Sequence, residues 1–212
     1  MMSTPKYKLT YFNARGRAEF IRMVLHAADL EFEDHRIEMS DWPTIKPNIP
    51  GGQLPVLDMT TSSGETRHMD ESFAIARWLA RKHQMMGSND DEYYEIERAI
   101  SQCADIYRDL ATIFRAKEDD KPKLIKEFSE GTGPRVMSMI SKHLEASPTS
   151  LVVGDKVTLA DFFIICTIDQ VEVTVPGLSK DKFPIFESHR ETVLKKHAKL
   201  AAYMEKRPTT DF

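Results

Sequence analysis

The feature that most constrains this chain is a change in hydrophobic pattern about two-fifths of the way along it. The first 83 residues alternate between strand and helix patterns, whereas strand patterns almost vanish after residue 91. The predicted order is strand, helix, strand, a long loop, then two strands and a helix. The predicted strands are Tyr7–Phe12, Phe32–Ile37, Pro55–Thr60 and Glu65–Met69. We therefore expect an α/β domain over residues 1–84 and an all-helical domain over residues 85–212.

The second half contains two amphipathic helix patterns and one that is apolar on nearly every side. Apolar residues recur at helical spacing from Ile96 to Phe114, and a second pattern runs from about residue 122 to residue 144. Thr158 and Asp161 have the spacing of an N-cap residue and its N3 partner in a variant of the capping box. Because the run that follows them is apolar all round, we expect it to form the central core helix.

Charge and composition exclude several classes of protein. The chain has 29 Lys and Arg against 33 Asp and Glu, a net charge of −4, which is the wrong sign for a nucleic-acid binder that neutralises phosphates. The longest apolar run, Phe162–Ile168, is far shorter than the roughly 20 residues of a membrane helix. Cys103 and Cys166 are too far apart for a CxxC motif, so we expect neither a disulfide framework nor a metal site. A cytoplasmic protein is the expectation that remains.

Two loops of the first domain carry candidate ligand-binding residues. Pro55 opens a strand, and a cis bond there would leave the backbone of Leu54 open to an extended peptide ligand; the alternative is an ordinary junction with trans proline. Ser72 after Glu71 opens the last helix of the domain, either as a structural N-cap or as a site for a carboxylate.

The remaining candidates lie on the first strand and on the Pro-rich loop. Trp42 and Lys46 are four residues apart in that loop, where an indole N–H and an ammonium group can hold a second carboxylate. Tyr11 ends the first strand and by parity with the other apolar residues is a core-facing aromatic. Arg15 and Arg17 begin the next helix, where arginines are usually solvated. Each of these signals is weak when it is taken alone.

Taken together and in this order, these segments resemble the sigma class of cytosolic glutathione transferases, most closely the enzymes of parasitic flatworms. The resemblance rests on Lys8–Glu19, Asp41–Pro47, Gln53–Leu57 and Glu71–Leu79 in the first half, and on Gly154–Asp161 and Lys206–Pro208 in the second. It implies a thioredoxin-like βαβ-ββα domain, a helical C-terminal domain, a homodimer, and glutathione as co-substrate without a metal.

The resemblance also implies a role for each candidate residue. Tyr11 matches the catalytic tyrosine, which donates a hydrogen bond to the glutathione sulfur, and Arg17 matches a cation beside it. The implied glutathione-binding residues are Tyr11, Phe12, Arg17, Trp42, Lys46, Gln53, Leu54, Pro55, Glu71 and Ser72, with Asp105 reaching across from the partner subunit. Gln53 stands where some relatives carry a basic residue. The electrophile pocket is expected to use Phe12, Ala14, Ile106, Leu110 and Phe114, with help from Phe212.

Three functions stay open at this point. The first is conjugation of glutathione to hydrophobic electrophiles for detoxification, with lipid hydroperoxide reduction as a related activity. The second is isomerisation of prostaglandin H to prostaglandin D, in which glutathione is a cofactor and is not consumed. The third is a non-catalytic role like that of the sigma-derived lens crystallins, against which the retained Tyr11 and Ser72 argue. A thioredoxin-type redox role needs a cysteine near the end of the first strand, and residues 11–14 contain none.

Overall fold

The computed structural model of this chain describes residues 5–210. Internal contacts divide them into two compact units: residues up to 83 together with those from 199 onward, and residues 84–198. The C-terminal residues therefore group with the first unit by contacts. The division at residue 84 into a glutathione-binding and an electrophile-binding domain stays a prediction.

The first unit contains one mixed four-stranded sheet. Its strands are β1 (Lys6–Phe12), β2 (Phe32–Ile37), β3 (Val56–Thr60) and β4 (Thr66–Met69), in the order β2-β1-β3-β4. β2 runs parallel to β1, β3 runs antiparallel to β1, and β4 runs antiparallel to β3. Leu9 and Leu57 face each other across β1 and β3 and are fully buried. All four predicted strands are present, and their order confirms the predicted α/β domain.

Nine helices are assigned within residues 5–210. They are α1 (Glu19–Ala27), α2 (Trp42–Ile45), α3 (Ser72–Lys82), α4 (Asp90–Arg115), α5 (Lys121–Glu130), α6 (Thr132–Ala146), α7 (Leu159–Thr174), α8 (Ile185–Lys196) and α9 (Ala198–Lys206). Short 3-10 turns flank α2, because prolines and glycines punctuate this loop. The second predicted amphipathic pattern, residues 122–144, spans two helices, because α5 ends at Glu130 and α6 begins at Thr132. No helix in this part of the chain is both long and apolar enough to cross a membrane.

The core of the second unit is built around α7. Its N-terminus carries the predicted capping box: Asp161 accepts hydrogen bonds from the Thr158 backbone N–H at 2.7 Å and from its hydroxyl at 2.8 Å. The other carboxylate oxygen accepts the Val152 N–H at 3.0 Å, and Asp161 has no exposed surface. His189 of α8 donates from Nδ1 to the Ser150 carbonyl at 2.7 Å. One carboxylate thus fixes both the start of α7 and the loop that precedes it.

Replacing the Asp161 carboxylate should destabilise the folded protein. Asp161→Ala leaves the N–H groups of Thr158 and Val152 buried without acceptors, so we expect it to lower the free energy of unfolding by about 3 kcal/mol. Asp155→Ala is the matched control, because Asp155 is exposed on the same loop. Chemical denaturation of both variants measures the difference. Equal stabilities would show that the Asp161 bonds contribute nothing net to folding.

Candidate functional site

The candidate site is centred on the hydroxyl of Tyr11, at the end of β1. Tyr11 is 7% exposed, and its oxygen accepts the backbone N–H of Arg17 at 3.2 Å. This bond uses a lone pair of the oxygen and does not use the hydroxyl proton. The Arg17 guanidinium is on the exposed side of the same loop. The structure therefore places the two predicted catalytic residues together.

Gly16 makes this arrangement possible. Its backbone has φ +39°, and a Cβ built on it would lie 2.6 Å from the Tyr11 hydroxyl oxygen and 3.0 Å from the ring. Carbon and oxygen do not approach so closely without a bond, and side chains other than hydrogen are strained at this φ. Glycine is the residue that lets the loop close over the phenol.

A chain of aromatic rings links Tyr11 to the Pro-rich loop. The ring centroids of Tyr11 and Phe12 are 5.4 Å apart, as are those of Phe12 and Trp42, and both pairs pack edge to face. Lys46 follows Trp42 by one helical turn. Its side chain runs past Gly52, where an added Cβ would lie 3.6 Å from Lys46 Cε. Trp42 and Lys46, predicted together from their spacing in this loop, therefore lie on one side of the site.

The turns before β3 and α3 supply the other predicted binding residues. The Leu54–Pro55 peptide bond is cis, so the trans alternative is wrong. Pro55 is buried, Leu54 is half-buried and Gln53 is exposed.

Ser72 is the first residue of α3 and is 4% exposed, whereas Glu71 takes the N-cap position, where Ser72 was expected. Glu71 has φ +62°, a backbone conformation that a residue with a side chain adopts only at a cost. The two turns meet, because a Cβ on Gly51 would lie 3.2 Å from a carboxylate oxygen of Asp70.

Sequence reasoning missed Arg22, a fully buried arginine behind Tyr11. Its Nε bonds Asp34 at 2.9 Å, its guanidinium donates to the Ala14 carbonyl at 2.8 Å, and its central carbon lies 6.0 Å from the centre of the Tyr11 ring. Burial opposes the charge of Arg22, but Asp34, Tyr203 and Glu19 outweigh it and raise the pKa of Arg22. The sequence does contain a signal for this buried charge, because Arg22 interrupts the otherwise apolar run Phe20–Leu25.

Glu19 was missed as well, because two of its partners, Tyr203 and Arg207, are more than 180 residues away in the sequence. Glu19 is 2% exposed and accepts hydrogen bonds from the Tyr203 hydroxyl at 3.0 Å and from Arg207 at 2.7 Å. Arg22 lies 3.3 Å from the same carboxylate. Burial and the neighbouring Glu19 raise the pKa of Tyr203 far above its usual range. Glu19 thus binds α9 to the start of α1.

Four predicted residues lie on α4, in the second unit. Asp105 is partly exposed and pairs with Arg108 at 3.0 Å. Ile106 and Leu110 are 0% and 1% exposed and pack in the core of the helical unit, so as described they offer no surface to a ligand. Apolar residues at helical spacing are core residues first, and this corrects their expected place in the pocket wall. Phe114 is 47% exposed. Phe212 lies outside the described residues.

Neither cysteine is placed for nucleophilic chemistry. Cys103 and Cys166 are 0% and 2% exposed. Burial raises the pKa of Cys103 to about 12, despite a hydrogen bond with Thr167 that lowers it. Because the thiolate is the nucleophile, Cys103 is inert at neutral pH. Within residues 5–210, no group of His, Cys, Asp and Glu side chains has the arrangement of a metal site.

Comparison with known proteins finds, over the whole chain, the family that the sequence resembles. The family model of the glutathione S-transferase N-terminal domain matches residues 7–81, and that of the C-terminal domain matches residues 104–207. A "glutathione S-transferase class-mu 28 kDa isozyme" of Schistosoma mansoni is 44% identical over 211 residues and all of both chains.

Two further comparisons cover nearly the full length. The solved structure of the Fasciola hepatica sigma class glutathione transferase is 44% identical, with a TM-score of 0.93 over 99% of this chain and 100% of that one. The mouse hematopoietic prostaglandin D synthase is 35% identical over 97% of this chain and 98% of its own.

The close approach of Gly16 to Tyr11 yields a test. Gly16→Ala should lower the free energy of unfolding by about 2 kcal/mol more than Gly64→Ala, because both glycines have positive φ but nothing lies within 4 Å of a Cβ at Gly64. Adding Tyr11→Phe should recover part of the loss, since the hydroxyl oxygen is the nearest atom. Thermal and denaturant unfolding of the variants measure both effects. Equal losses at the two glycines would contradict the close contact.

Proposed function

Because the chain belongs to the glutathione S-transferase family, we propose that it conjugates the thiolate of glutathione to hydrophobic electrophiles. The observation that carries the proposal is the Tyr11 hydroxyl at the end of β1, which accepts the Arg17 N–H and keeps its proton out of that bond. In this role the Tyr11 hydroxyl donates a hydrogen bond to the glutathione sulfur and so favours the thiolate. Arg17 adds a positive charge beside the same sulfur.

The free energy needed to favour the glutathione thiolate is modest. A free thiol with a pKa of about 8.5 is only about 3% ionised at pH 7, and lowering that pKa by about two units takes roughly 2.7 kcal/mol. One charge-assisted hydrogen bond and a nearby cation supply energies of this size. The ionised fraction then rises about 25-fold, while the nucleophilicity of each thiolate falls about 8-fold if the Brønsted slope for thiols applies. Most of the remaining acceleration has to come from holding the electrophile against the sulfur.

In the proposed binding mode, the two sides of the site hold different parts of glutathione. Trp42 and Lys46, with Gln53 next to them, hold the glycyl carboxylate. Leu54 pairs its backbone with the cysteinyl residue beside the cis Pro55. Ser72, at the N-terminus of α3, and Glu71 hold the γ-glutamyl end, the carboxylate of Glu71 facing the ammonium group. The buried, first-turn position of Ser72 supports this assignment, because N–H groups at a helix start are good partners for a carboxylate.

The proposed electrophile is apolar. Phe12, Ala14 and the exposed ring of Phe114 are the predicted pocket residues with accessible surface. Apolar walls favour aryl halides, unsaturated aldehydes and lipid hydroperoxides. A cytoplasmic location remains part of the proposal.

We also propose a homodimer in which Asp105 reaches the glutathione of the partner subunit. Asp105 is partly exposed, and α4 and α6 carry the exposed apolar side chains of Tyr94 and Met139, which are 62% and 44% exposed. Light scattering during size-exclusion chromatography tests the assembly directly. A mass near 49 kDa, twice that of the 24.3 kDa chain, is expected, and a mass of one chain at micromolar concentration would remove the dimer.

The alternative activity is the glutathione-dependent isomerisation of prostaglandin H, favoured by the similarity to a prostaglandin D synthase. Both reactions need the same thiolate, but they differ in the fate of glutathione. Mass spectrometry of the products formed from an aryl halide and from a prostaglandin endoperoxide separates them. Recovery of all the glutathione beside an isomerised product would establish the second activity. A chain that neither binds glutathione nor forms product would support a crystallin-like role.

Removing the Tyr11 hydroxyl tests the catalytic assignment. Tyr11→Phe should lower kcat for conjugation about ten-fold or more and leave the affinity for glutathione nearly unchanged, because the hydroxyl acts on the sulfur and adds little to tripeptide binding. Tyr7→Phe is the matched control: Tyr7 lies on the same face of β1 and its hydroxyl contacts Lys82 at 3.1 Å. Steady-state rates, glutathione titrations and thiolate absorbance measure these effects. Unchanged turnover in Tyr11→Phe, with chemistry rate-limiting, would remove Tyr11 from catalysis.

A further inference from the structure

The loop that packs against the Tyr11 hydroxyl is held from two sides. This loop, residues 13–17, connects β1 to α1 and supplies the Arg17 N–H that binds the Tyr11 oxygen. On its inner side, Arg22 donates to the carbonyls of Ala14 at 2.8 Å and Arg15 at 3.4 Å. Arg22 is itself fixed by Asp34 and by its full burial. These bonds hold the backbone of the loop to α1.

On its other side, the loop is held by the C-terminal end of the chain. The Arg15 guanidinium donates to the Thr210 carbonyl oxygen at 2.7 Å and to the Thr210 hydroxyl at 3.3 Å. Arg15 is half-buried, so these charged bonds are screened less than those of an exposed arginine. The C-terminal segment is in turn fixed to α1 through Tyr203, Arg207 and Glu19.

We propose that Arg15 and Thr210 form a clamp that positions the Tyr11 hydroxyl, so that the C-terminal end of the chain acts on the thiolate chemistry. This inference rests on the proposed function, because it concerns the same tyrosine. Arg15 is a positioning residue in this account: it acts through the backbone of the loop and does not itself reach the reacting sulfur.

The clamp acts on Tyr11 because the loop lies very close to the phenol. The Arg17 N–H orients the hydroxyl by occupying one lone pair, and its partial positive charge makes the phenol a better donor to a thiolate. Gly16 lies so close to the hydroxyl that a shift of the loop by a few tenths of an ångström changes the contact. Without the clamp, the loop keeps its bonds with Arg22 and the bond from the Asn13 N–H to the Ile37 carbonyl, but it loses its tie to the C-terminal segment. The hydroxyl then reorients away from the sulfur more readily.

The clamp is tested by removing each half. Arg15→Ala removes the donor, and a chain ending at Pro208 removes Thr210 while keeping the contacts of Tyr203 and Arg207 with Glu19. Each change should lower kcat about five-fold and raise the pKa of enzyme-bound glutathione, with less than about a two-fold change in the KM for glutathione. Combining them should give no further loss, because both remove the same interaction. The bound thiol pKa is read from thiolate absorbance against pH.

Matched controls separate positioning from general destabilisation. A chain ending at Thr210 keeps the clamp and should behave like the full chain. Lys199→Gln removes the exposed contact of Lys199 with Asp29 on the same C-terminal segment and should leave the thiol pKa unchanged. Arg15→Lys keeps the charge but loses the two-pronged geometry, so we expect most of the Arg15→Ala effect.

Two outcomes would overturn the clamp. One is a lower melting temperature in Arg15→Ala with an unchanged thiol pKa and kcat, which would make Arg15 a purely structural residue. The other is additive loss in the combined variant, which would show that Arg15 and Thr210 act separately. Tyr11→Phe in the same assay keeps the two proposals apart. If Tyr11→Phe shifts the thiol pKa and Arg15→Ala does not, the clamp fails while the proposed function stands.

Discussion

The contact between the Arg17 N–H and the Tyr11 oxygen is the interaction on which the rest of the site depends. It brings the loop after β1 against a phenol, and that closeness requires a residue without a side chain at position 16. It does not use the phenolic proton, and it brings the backbone of Arg17 to the phenol. In the proposed function, the turns around Trp42 and Ser72 present the glutathione sulfur at this point. A displaced loop would then leave glutathione bound but not activated.

Holding this loop requires charges inside the protein. Arg22 and Glu19 are almost fully buried, and burying charges costs several kcal/mol unless each is paired and hydrogen-bonded. Here Asp34, Tyr203, Arg207 and two backbone carbonyls supply hydrogen-bond partners, while Nη2 of Arg22 is buried without one. Such a network contributes little net stability, but it permits one arrangement of its members. The network therefore specifies where α1, the loop and α9 lie, and the apolar core of the sheet supplies the stability.

The sequence predicted this fold well because most of its elements have local signals. The strands follow from alternation and β-forming residues, and the start of α7 follows from Thr158 and Asp161. At Pro55 the sequence left cis and trans open, and the structure has the bond cis. The site was predicted as a set of residues by resemblance, and the structure brings its first-unit members together. It was harder to predict whether a helix residue packs in the core or lines a cavity. The spacing of Ile106 and Leu110 is the same in both cases. Contacts of Glu19 and Arg15 with residues near the C-terminus are non-local, and no pattern within either segment encodes them.

The same geometry explains why the choice between conjugation and isomerisation does not follow from Tyr11. Raising the thiolate fraction about 25-fold while losing about 8-fold in nucleophilicity leaves a gain of only a few-fold, and both reactions share it. The reactions diverge later, when the sulfur either stays on the product or leaves it. That step depends on which electrophile is held and, where an oxygen departs, on what protonates it; a halide departs as the anion. In the proposed function, side chains around the electrophile therefore decide which reaction occurs, whereas Tyr11 only raises the fraction of thiolate that can begin it.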